Sequence, residues 1–463
     1  MLAVSAGELL YVAEPFLARN MHPTVIVRAY HRAMEIALDI CDRMSIEVDT
    51  NNPTEMRGII RSCLGTKMVS RYGDLMCDLA LQAVTTVAID RADGKKEIDI
   101  KRYARVEKLP GGELSECRVL DGVMLNKDVV HSRMRRRIEN PRVLLMDCPL
   151  EYKKGESQTN LEITKEEDWE KILRQEEEAI ERMCTDILRF NPDIVITEKG
   201  VSDLAQHFFV KAGVTALRRV RKSDNNRIAR VTGATIVNRP DEITEEDIGT
   251  ACGLFEVRKY GDEYFSFLEE CKDPTACTIL LRGGSKDVLN EIERNLHDAM
   301  GVARNVVFEP KLLPGGGATE MAISQGLREA AKSVEGVEQW PFRAVAQAME
   351  VIPRTLAQNC GADTIRLLTE LRVRCWEGCT NGAQADCVCV CVCPLRVSSA
   401  QAKKVGGKNP SLGIDGINGK IADMSGVFDP YAVKTQTIKT AVEAACMLLR
   451  IDEIVSGLSK GKR

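Results

Sequence analysis

Short apolar strands alternate with helices between residues 140 and 284, and this alternation constrains the fold more than any other feature. The apolar runs at 143–146 and 194–196 predict strands, a helical pattern follows over 201–212, and Cys277–Leu281 closes the region as its last strand. Strands that alternate with helices in this way form a sheet with parallel strands covered by helices. The middle of the chain is therefore expected to be an α/β domain.

Helical periodicity dominates on both sides of this region. Apolar residues recur at intervals of three and four, which is typical of amphipathic helices. The helical stretches are 1–45 (two helices that meet at Met21–Pro23), 52–90, 285–309, 318 to about 372 with breaks at Gln339–Pro341 and Asn359–Gly361, and 433–449. With 463 residues, the chain should form more than one domain.

An acidic segment at 151–188 interrupts the α/β region, with 12 acidic and 6 basic residues. Thr164–Glu167 has the pattern of a capping box, and apolar residues from Trp169 to Ile187 form one stripe. Two interpretations remain open. The helix is either an arm that reaches a partner or a helix packed on its own sheet.

A run of three glycines, Gly315–Gly317, precedes a helical pattern that begins at Ala318. Bare backbone N–H groups at a positive helix end suit a phosphate, although a plain turn has the same pattern. Asp298 lies off the apolar stripe of its helix, and Lys67 follows a small polar break. From their local sequence alone, both residues are interpreted as surface charges.

Composition excludes several classes of protein. The net charge of −4 and a pI near 6.0 argue against a general nucleic-acid binder. No apolar run approaches the length of a membrane span, and the first residues lack the basic start of a signal peptide. Most of the 17 cysteines are scattered singly, which fits a reducing compartment.

Several long runs resemble the group II chaperonins, and within that family a subunit of the eukaryotic cytosolic chaperonin. They include Ile196-Thr-Glu-Lys-Gly-Val-Ser-Asp-Leu-Ala-Gln-His, Lys222-Ser-Asp-Asn-Asn-Arg-Ile-Ala-Arg, Leu280-Leu-Arg-Gly-Gly-Ser, Leu313-Pro-Gly-Gly-Gly-Ala and Leu448-Leu-Arg-Ile-Asp-Glu-Ile-Val-Ser-Gly. The resemblance covers nearly the whole chain. It implies an α+β multidomain chaperonin fold, with a mainly helical equatorial domain, a small intermediate domain and an α/β apical domain.

The family's domain order gives expected boundaries, and the acidic segment at 151–188 matches the helical protrusion that forms a built-in lid. The domains are equatorial at 1–50 and 314–463, intermediate at 51–108 and 285–313, and apical at 109–284. The apical helix 201–212 and the protrusion are expected to receive unfolded clients, with Phe208 and Phe209 as candidate contacts or core residues.

The resemblance also assigns site residues by position. Asp298 matches the aspartate that orients the hydrolytic water for the γ-phosphate of ATP. The residues that match nucleotide contacts are Thr66 and Lys67 in a sensing loop, Gly315 and Gly316 in the glycine run, Gly416 and Asp429 near the base and ribose, and Lys434. ATP and Mg²⁺ are the implied cofactors.

The implied partners are paralogous chaperonin subunits in a two-ring hetero-oligomer and unfolded clients such as actin and tubulin. Neither nucleic acid nor a membrane is expected as a partner, and the expected location is cytoplasmic. The implied function is an ATP-dependent folding chaperone that couples hydrolysis to lid closure. The alternative is a non-catalytic form that only assembles with chaperonin neighbours or competes for them.

The alternative rests on a departure from the family pattern. Family members carry a Gly-Asp-Gly-Thr-Thr run that supplies the Mg²⁺-binding aspartate, and no Gly-Asp-Gly occurs in this sequence. The expectation is therefore an N-terminally incomplete chain whose Mg²⁺ ligand lies in the missing segment. The strand that would pair with Ile451–Val455 is expected there too. Whether this chain hydrolyses ATP is left open by the sequence.

A second departure is an insert at about 375–407 with the alternating run Cys387-Val-Cys-Val-Cys-Val-Cys393. Thiolates in this number suit a soft metal ion. The same alternation is what a GT dinucleotide repeat encodes, and retained non-coding sequence has this form. The second interpretation is favoured because histidines and paired C-x-x-C ligands do not occur in the insert.

The insert generates the first prediction. The purified chain is expected to carry no stoichiometric zinc or copper, because the alternating cysteines lack the ligand spacing of a structural metal site. Elemental analysis of the protein after gel filtration measures this. About one metal ion per chain, lost when Cys389 and Cys391 are both changed to serine, would establish the metal-site interpretation instead.

Overall fold

The computed structural model describes residues 1–50, 52–65, 67–91, 96–152, 166–376, 411–424 and 426–451. The chain divides into two compact units. The first unit combines Met1–Gly65 with Gly301–Arg463, and the second is Thr66–Met300. The division into two units does not test the expected boundaries of the equatorial, intermediate and apical domains, which remain a prediction.

Helices provide most of the regular structure. In chain order they are α1 (Leu2–Leu17), α2 (Pro23–Met44), α3 (Pro53–Leu64), α4 (Gly73–Val87), α5 (Ile100–Tyr103), α6 (Glu166–Leu188), α7 (Asp203–Ala212), α8 (Lys222–Thr232), α9 (Lys286–Phe308), α10 (Ala318–Ala330), α11 (Gln339–Met349), α12 (Val351–Asn359), α13 (Thr364–Trp376) and α14 (Tyr431–Leu449).

The strands are shorter. In chain order they are β1 (Ile46–Glu47), β2 (Ile89–Asp90), β3 (Lys96–Glu97), β4 (Ala104–Pro110), β5 (Arg118–Leu120), β6 (Val123–Leu125), β7 (Arg137–Glu139), β8 (Val143–Met146), β9 (Ile194–Thr197), β10 (Thr215–Leu217), β11 (Ile236–Val237), β12 (Leu254–Tyr260), β13 (Glu263–Glu269), β14 (Cys277–Gly283), β15 (Lys311–Pro314), β16 (Leu412–Asp415), β17 (Lys420–Asp423) and β18 (Phe428–Pro430).

The core of the first unit is formed by α1, α2, α10, α11 and α14. α2 starts where the sequence predicts: His22 caps it by accepting a hydrogen bond from the backbone N–H of Thr24, and Pro23 occupies the first turn, where its missing N–H costs nothing. Tyr30 is fully buried, and its hydroxyl donates to the carbonyl of Leu9 at 2.8 Å. This bond joins α2 to α1.

Two small sheets in the first unit hold the glycine run. β15 lies between β1 and β18, and both pairings are antiparallel, with Leu312 opposite Ile46 on one side and Pro430 on the other. β16 and β17 form a separate antiparallel hairpin. The chain leaves β15 through the three glycines directly into α10.

The second unit contains the parallel sheet that the sequence predicts. Its strand order is β10-β9-β8-β11, and each neighbouring pair is parallel. Every residue of β8 and β9 is buried, as expected of strands covered on both faces. This unit also contains an antiparallel sheet, β6-β13-β12-β7, a mixed sheet, β4-β14-β5, and the two-stranded antiparallel sheet β2-β3. The α/β prediction is confirmed.

Helix α6 satisfies part of each interpretation of the acidic segment. Its second half packs on the sheet of the second unit, because Ile180, Cys184 and Ile187 are buried in that core. Nearer its start, Trp169 is 56% exposed. Residues 153–165, including Thr164 and Lys165 of the predicted capping box, lie outside the described residues.

One prediction needs correction, and burial decides between the two interpretations of Phe209. Gln339–Pro341 is not a break but the start of α11, since proline is tolerated in the first turn of a helix; the interruption lies at 334–338 instead. Phe209 is fully buried and belongs to the core, so it is not available to a client, whereas Phe208 is half-buried.

Two expectations cannot be compared with the structure. The strand at Ile451–Val455 falls mostly, and the insert almost entirely, outside the described residues. Within the described part of the chain, no helix is both long enough and apolar enough to cross a membrane.

Close packing of β6 on β13 generates a prediction. A Cβ atom on Gly122 would lie 1.8 Å from the carbonyl oxygen of Leu268, which is backbone and cannot turn aside. Gly122→Ala should therefore destabilise the second unit by about 1–3 kcal/mol. Hydrogen exchange of peptides covering 263–269 in a urea series measures this change in the free energy of unfolding.

The matched control is Gly284→Ala in the same unit, because a Cβ there meets nothing within 4 Å. Its effect should stay within about 0.5 kcal/mol. Equal shifts in the two variants would contradict the steric explanation.

Candidate functional site

The glycine run is a tight connection with both ends fixed. Gly315 donates its N–H to the carbonyl of Val427 at 2.8 Å, and the hydroxyl of Thr319 donates to the carbonyl of Pro314 at 2.7 Å. Gly316 and Gly317 have φ values of 62° and 80°, a region that favours glycine. The run therefore leads directly into the N-terminus of α10, where the helix dipole is positive, and hydrogen bonds hold the chain on both sides of it.

Close contacts also require glycine here. A Cβ on Gly316 would lie 2.6 Å from the Sδ of Met424, and a Cβ on Gly317 would lie 3.0 Å from the Cβ of Pro353. Packing and backbone conformation thus explain these glycines without a ligand. The loop is a turn in any case, and phosphate binding needs further support.

The hairpin of β16 and β17 is attached to the glycine run. Ile414 donates its N–H to the carbonyl of Gly316 at 2.8 Å, which brings Gly416, at the hairpin turn, near the loop. Asp415 accepts hydrogen bonds from the side chain of Asn418 and the N–H of Ile417, and these bonds lower the pKa of Asp415. Ile417 is 95% exposed at the tip.

A buried cluster of three charges lies beside the loop. Lys434 on α14 contacts Glu320 in the first turn of α10, and its Nζ lies 3.1 Å from Oδ2 of Asp429 on β18. The side chains of Lys434 and Glu320 are 3% and 7% exposed, whereas that of Asp429 is 36% exposed. Only Asp429 thus offers an accessible group to a ligand.

The electrostatics of this cluster favour the charged form of Lys434. Burial opposes the charge of Lys434, but the carboxylates of Glu320 and Asp429 outweigh burial, so the pKa of Lys434 is raised. One oxygen of Glu320, Oε2, is buried without a hydrogen-bond partner among the described residues. One cation faces two carboxylates, and the cluster therefore carries a net negative charge.

The other predicted site residues lie in the second unit. Asp298 on α9 has a side chain that is 62% exposed, in agreement with its position off the apolar stripe, and it contacts the ammonium group of Lys67. These residues are 231 positions apart in the chain. Thr66 lies outside the described residues.

Sequence reasoning missed Glu320 as a member of the site. A signal existed, because Lys434, Ile438, Ala441 and Ala445 follow helical spacing and all are buried. A lysine on a buried stripe requires an acidic partner. The pattern does not say which acid supplies it.

A metal site is a separate question. No group of three or more histidine, cysteine, aspartate or glutamate side chains within the described ranges could hold a metal ion. The described residues therefore do not form a Mg²⁺ site by themselves.

Comparison with known proteins agrees with the resemblance seen in the sequence. The TCP-1/cpn60 chaperonin family model matches residues 1–458. A solved structure, the open-state monomer of a group II chaperonin from Methanococcoides burtonii, is similar with a TM-score of 0.70 and 30% identity. The similarity covers 97% of this chain and 98% of that one, so the chaperonin fold is confirmed.

Curated relatives are closer in sequence. T-complex protein 1 subunit gamma of Thalassiosira weissflogii is 59% identical, and that of Schizosaccharomyces pombe is 58% identical; each match covers 99% of this chain and 81% of the relative. The Bos taurus subunit gamma is 55% identical, over 99% of this chain and 79% of its own length. The expected similarity to a eukaryotic chaperonin subunit is confirmed.

The charge cluster generates a prediction. Lys434→Met leaves the buried carboxylate of Glu320 without its cation, which should destabilise the first unit by about 3–5 kcal/mol. Since the pKa of Lys434 is raised, its contribution is fully present below the unfolded value of 10.5 and is lost only as the pH rises through the folded value. Urea unfolding at neutral pH measures the difference.

Lys439→Met on the same helix is the matched control, with an expected change within about 0.5 kcal/mol. Equal midpoints for the two variants would show that Lys434 does not stabilise the unit.

Proposed function

Because the chain belongs to the TCP-1/cpn60 chaperonin family and is a chaperonin subunit that acts in protein folding, we propose that it binds ATP at the glycine run and hydrolyses it with Asp298. The observation that carries this proposal is the contact between Asp298 and Lys67. It joins two family-matched residues, an exposed carboxylate and a cation, that are distant in the sequence.

The first unit supplies groups for a nucleotide. Phosphate oxygens suit the backbone and helix N-terminus after Gly316, since the dipole of α10 attracts anions. They do not suit Asp429, whose carboxylate repels them but accepts hydrogen bonds from ribose hydroxyls. The hairpin turn at Gly416, with the exposed Ile417 beside it, offers a small apolar surface to a base.

Lys434 has a supporting role in this scheme. Its side chain is 3% exposed and its ammonium group is already shared between Glu320 and Asp429, so it orients Asp429 rather than reaching a phosphate. This differs from the direct nucleotide contact that the resemblance implies for Lys434.

Hydrolysis requires a positioned water and controlled charge more than covalent help. The Asp298 carboxylate accepts a hydrogen bond from the attacking water and thereby orients it. Lys67 neutralises Asp298 when no nucleotide is bound, and a γ-phosphate competes for the same ammonium group. Release of Asp298 then depends on the presence of that phosphate, which is the sensing role expected of the loop that contains Thr66 and Lys67.

Mg²⁺ would bind together with ATP and would neutralise part of the negative charge of the phosphates. The described residues do not hold it alone, and the family's Gly-Asp-Gly aspartate is expected to supply its ligand.

The biological setting follows from the family. The chain acts in the cytoplasm in a two-ring assembly with paralogous subunits, and it receives unfolded clients on its apical region, for which actin and tubulin are candidates. The equatorial, intermediate and apical boundaries given by the sequence remain part of this proposal. Helix α6 is the described portion of the expected lid protrusion.

The proposal predicts phosphate release that depends on Asp298. The purified full chain should release phosphate from MgATP, and Asp298→Ala should reduce the rate at least about 100-fold, the scale of a lost acid–base or water-orienting group. A coupled phosphate assay at saturating ATP measures the rate, and fluorescent-nucleotide binding shows whether affinity survives.

Asp287→Ala is the matched control, because Asp287 is an exposed acid on the same helix. Its rate should match the unaltered chain. Unchanged release in Asp298→Ala would exclude the catalytic role, and no release from the unaltered chain would favour the non-catalytic alternative.

A further inference from the structure

Two cysteines lie opposite each other at the open end of the β12–β13 hairpin. Leu254 pairs with Glu269 in the last described pair of these strands. Beyond it, Lys272 donates its N–H to the carbonyl of Ala251 at 2.9 Å. Cys252 and Cys271 therefore lie between two points at which the segments are held together.

The backbone is distorted between these points. Glu270 has a φ of 57°, which is unusual for a residue with a side chain, and a Cβ on Gly253 would lie 2.5 Å from its carbonyl oxygen. The two segments approach closely here. Such an irregularity redirects the side chains that flank it.

Both thiols converge on one place. The Sγ atoms of Cys252 and Cys271 lie 3.9 and 3.8 Å from the same carbonyl oxygen, that of Glu269. Interaction between the two thiols lowers the pKa of Cys252 and raises that of Cys271. Both are free and buried in this structure, with Cys252 1% and Cys271 8% exposed.

We propose that Cys252 and Cys271 are a redox modification site that forms a reversible disulfide when the protein meets a peroxide. The opposed positions meet the requirement that bridged cysteines have close Cα atoms and converging side chains. The bond would close the open end of the hairpin covalently.

The chemistry balances with hydrogen peroxide as the two-electron oxidant. The Cys252 thiolate attacks one peroxide oxygen, the S–O bond forms, the O–O bond breaks, and the leaving hydroxide takes a proton to become water. The Cys271 sulfur then attacks the sulfenic acid sulfur; the S–S bond forms and the S–O bond breaks. The Cys271 proton leaves with the second water, and a thiol reductant reverses the reaction.

Cys277 is the competing partner for Cys271 because it is only six positions away. Its thiol is fully buried and lies 3.9 Å from the carbonyl of Ala83 on α4. Burial raises its pKa to about 12. Cys277 is thus directed at α4 and not at Cys271.

Tryptic mapping tests the proposal, since cleavage places Cys252, Cys271 and Cys277 in the separate peptides 231–258, 260–272 and 273–282. The purified full chain is reduced, exchanged into buffer without reductant, treated with hydrogen peroxide, alkylated and digested. Peptides 231–258 and 260–272 should become linked, at least several-fold above the untreated sample, and separate on reduction.

Cys271→Ala should abolish the link, whereas Cys148→Ala, a half-buried cysteine in the same unit, should leave it unchanged. A link between 260–272 and 273–282 would overturn the proposal. Full alkylation of Cys252 and Cys271 at a peroxide dose that oxidises Cys148 would overturn it as well.

Discussion

A single buried ammonium group organises the region around the glycine run. Lys434 on α14 contacts Glu320, which lies in the first turn of α10, and Asp429, which lies on β18. Because β18 pairs with β15, the strand and the helix on either side of the glycines are both tied to this one cation. Two carboxylates at such short range would repel each other without it. The shape of the loop therefore depends on a charge that no ligand needs to touch.

The residues that the family resemblance assigns to nucleotide binding are each held by local contacts within their own unit. The glycine run, the β16–β17 hairpin and the charge cluster belong to the first unit, while Lys67 and Asp298 contact each other within the second. Each part is ordered by its own hydrogen bonds and ion pairs before any nucleotide arrives.

Local patterns explain what the sequence could predict. The two helices that meet at Met21–Pro23 and the strands of the parallel sheet follow from apolar spacing, which is a property of neighbouring residues. The break expected at Pro341 was wrong because proline is harmless in a first turn. Contacts such as Glu320 with Lys434 join residues 114 positions apart, and no spacing rule reaches that far. The roles of Asp298 and Lys67 came from the family resemblance, not from their surroundings.

The tight packing behind the glycines has a consequence for genetics. Met424 and Pro353 leave no room for a side chain at Gly316 or Gly317. A saturation mutagenesis screen would thus score both positions as intolerant whether or not a phosphate ever binds there. Intolerance at these codons reports steric fit, and only substitutions at exposed positions such as Ile417 can separate ligand recognition from folding.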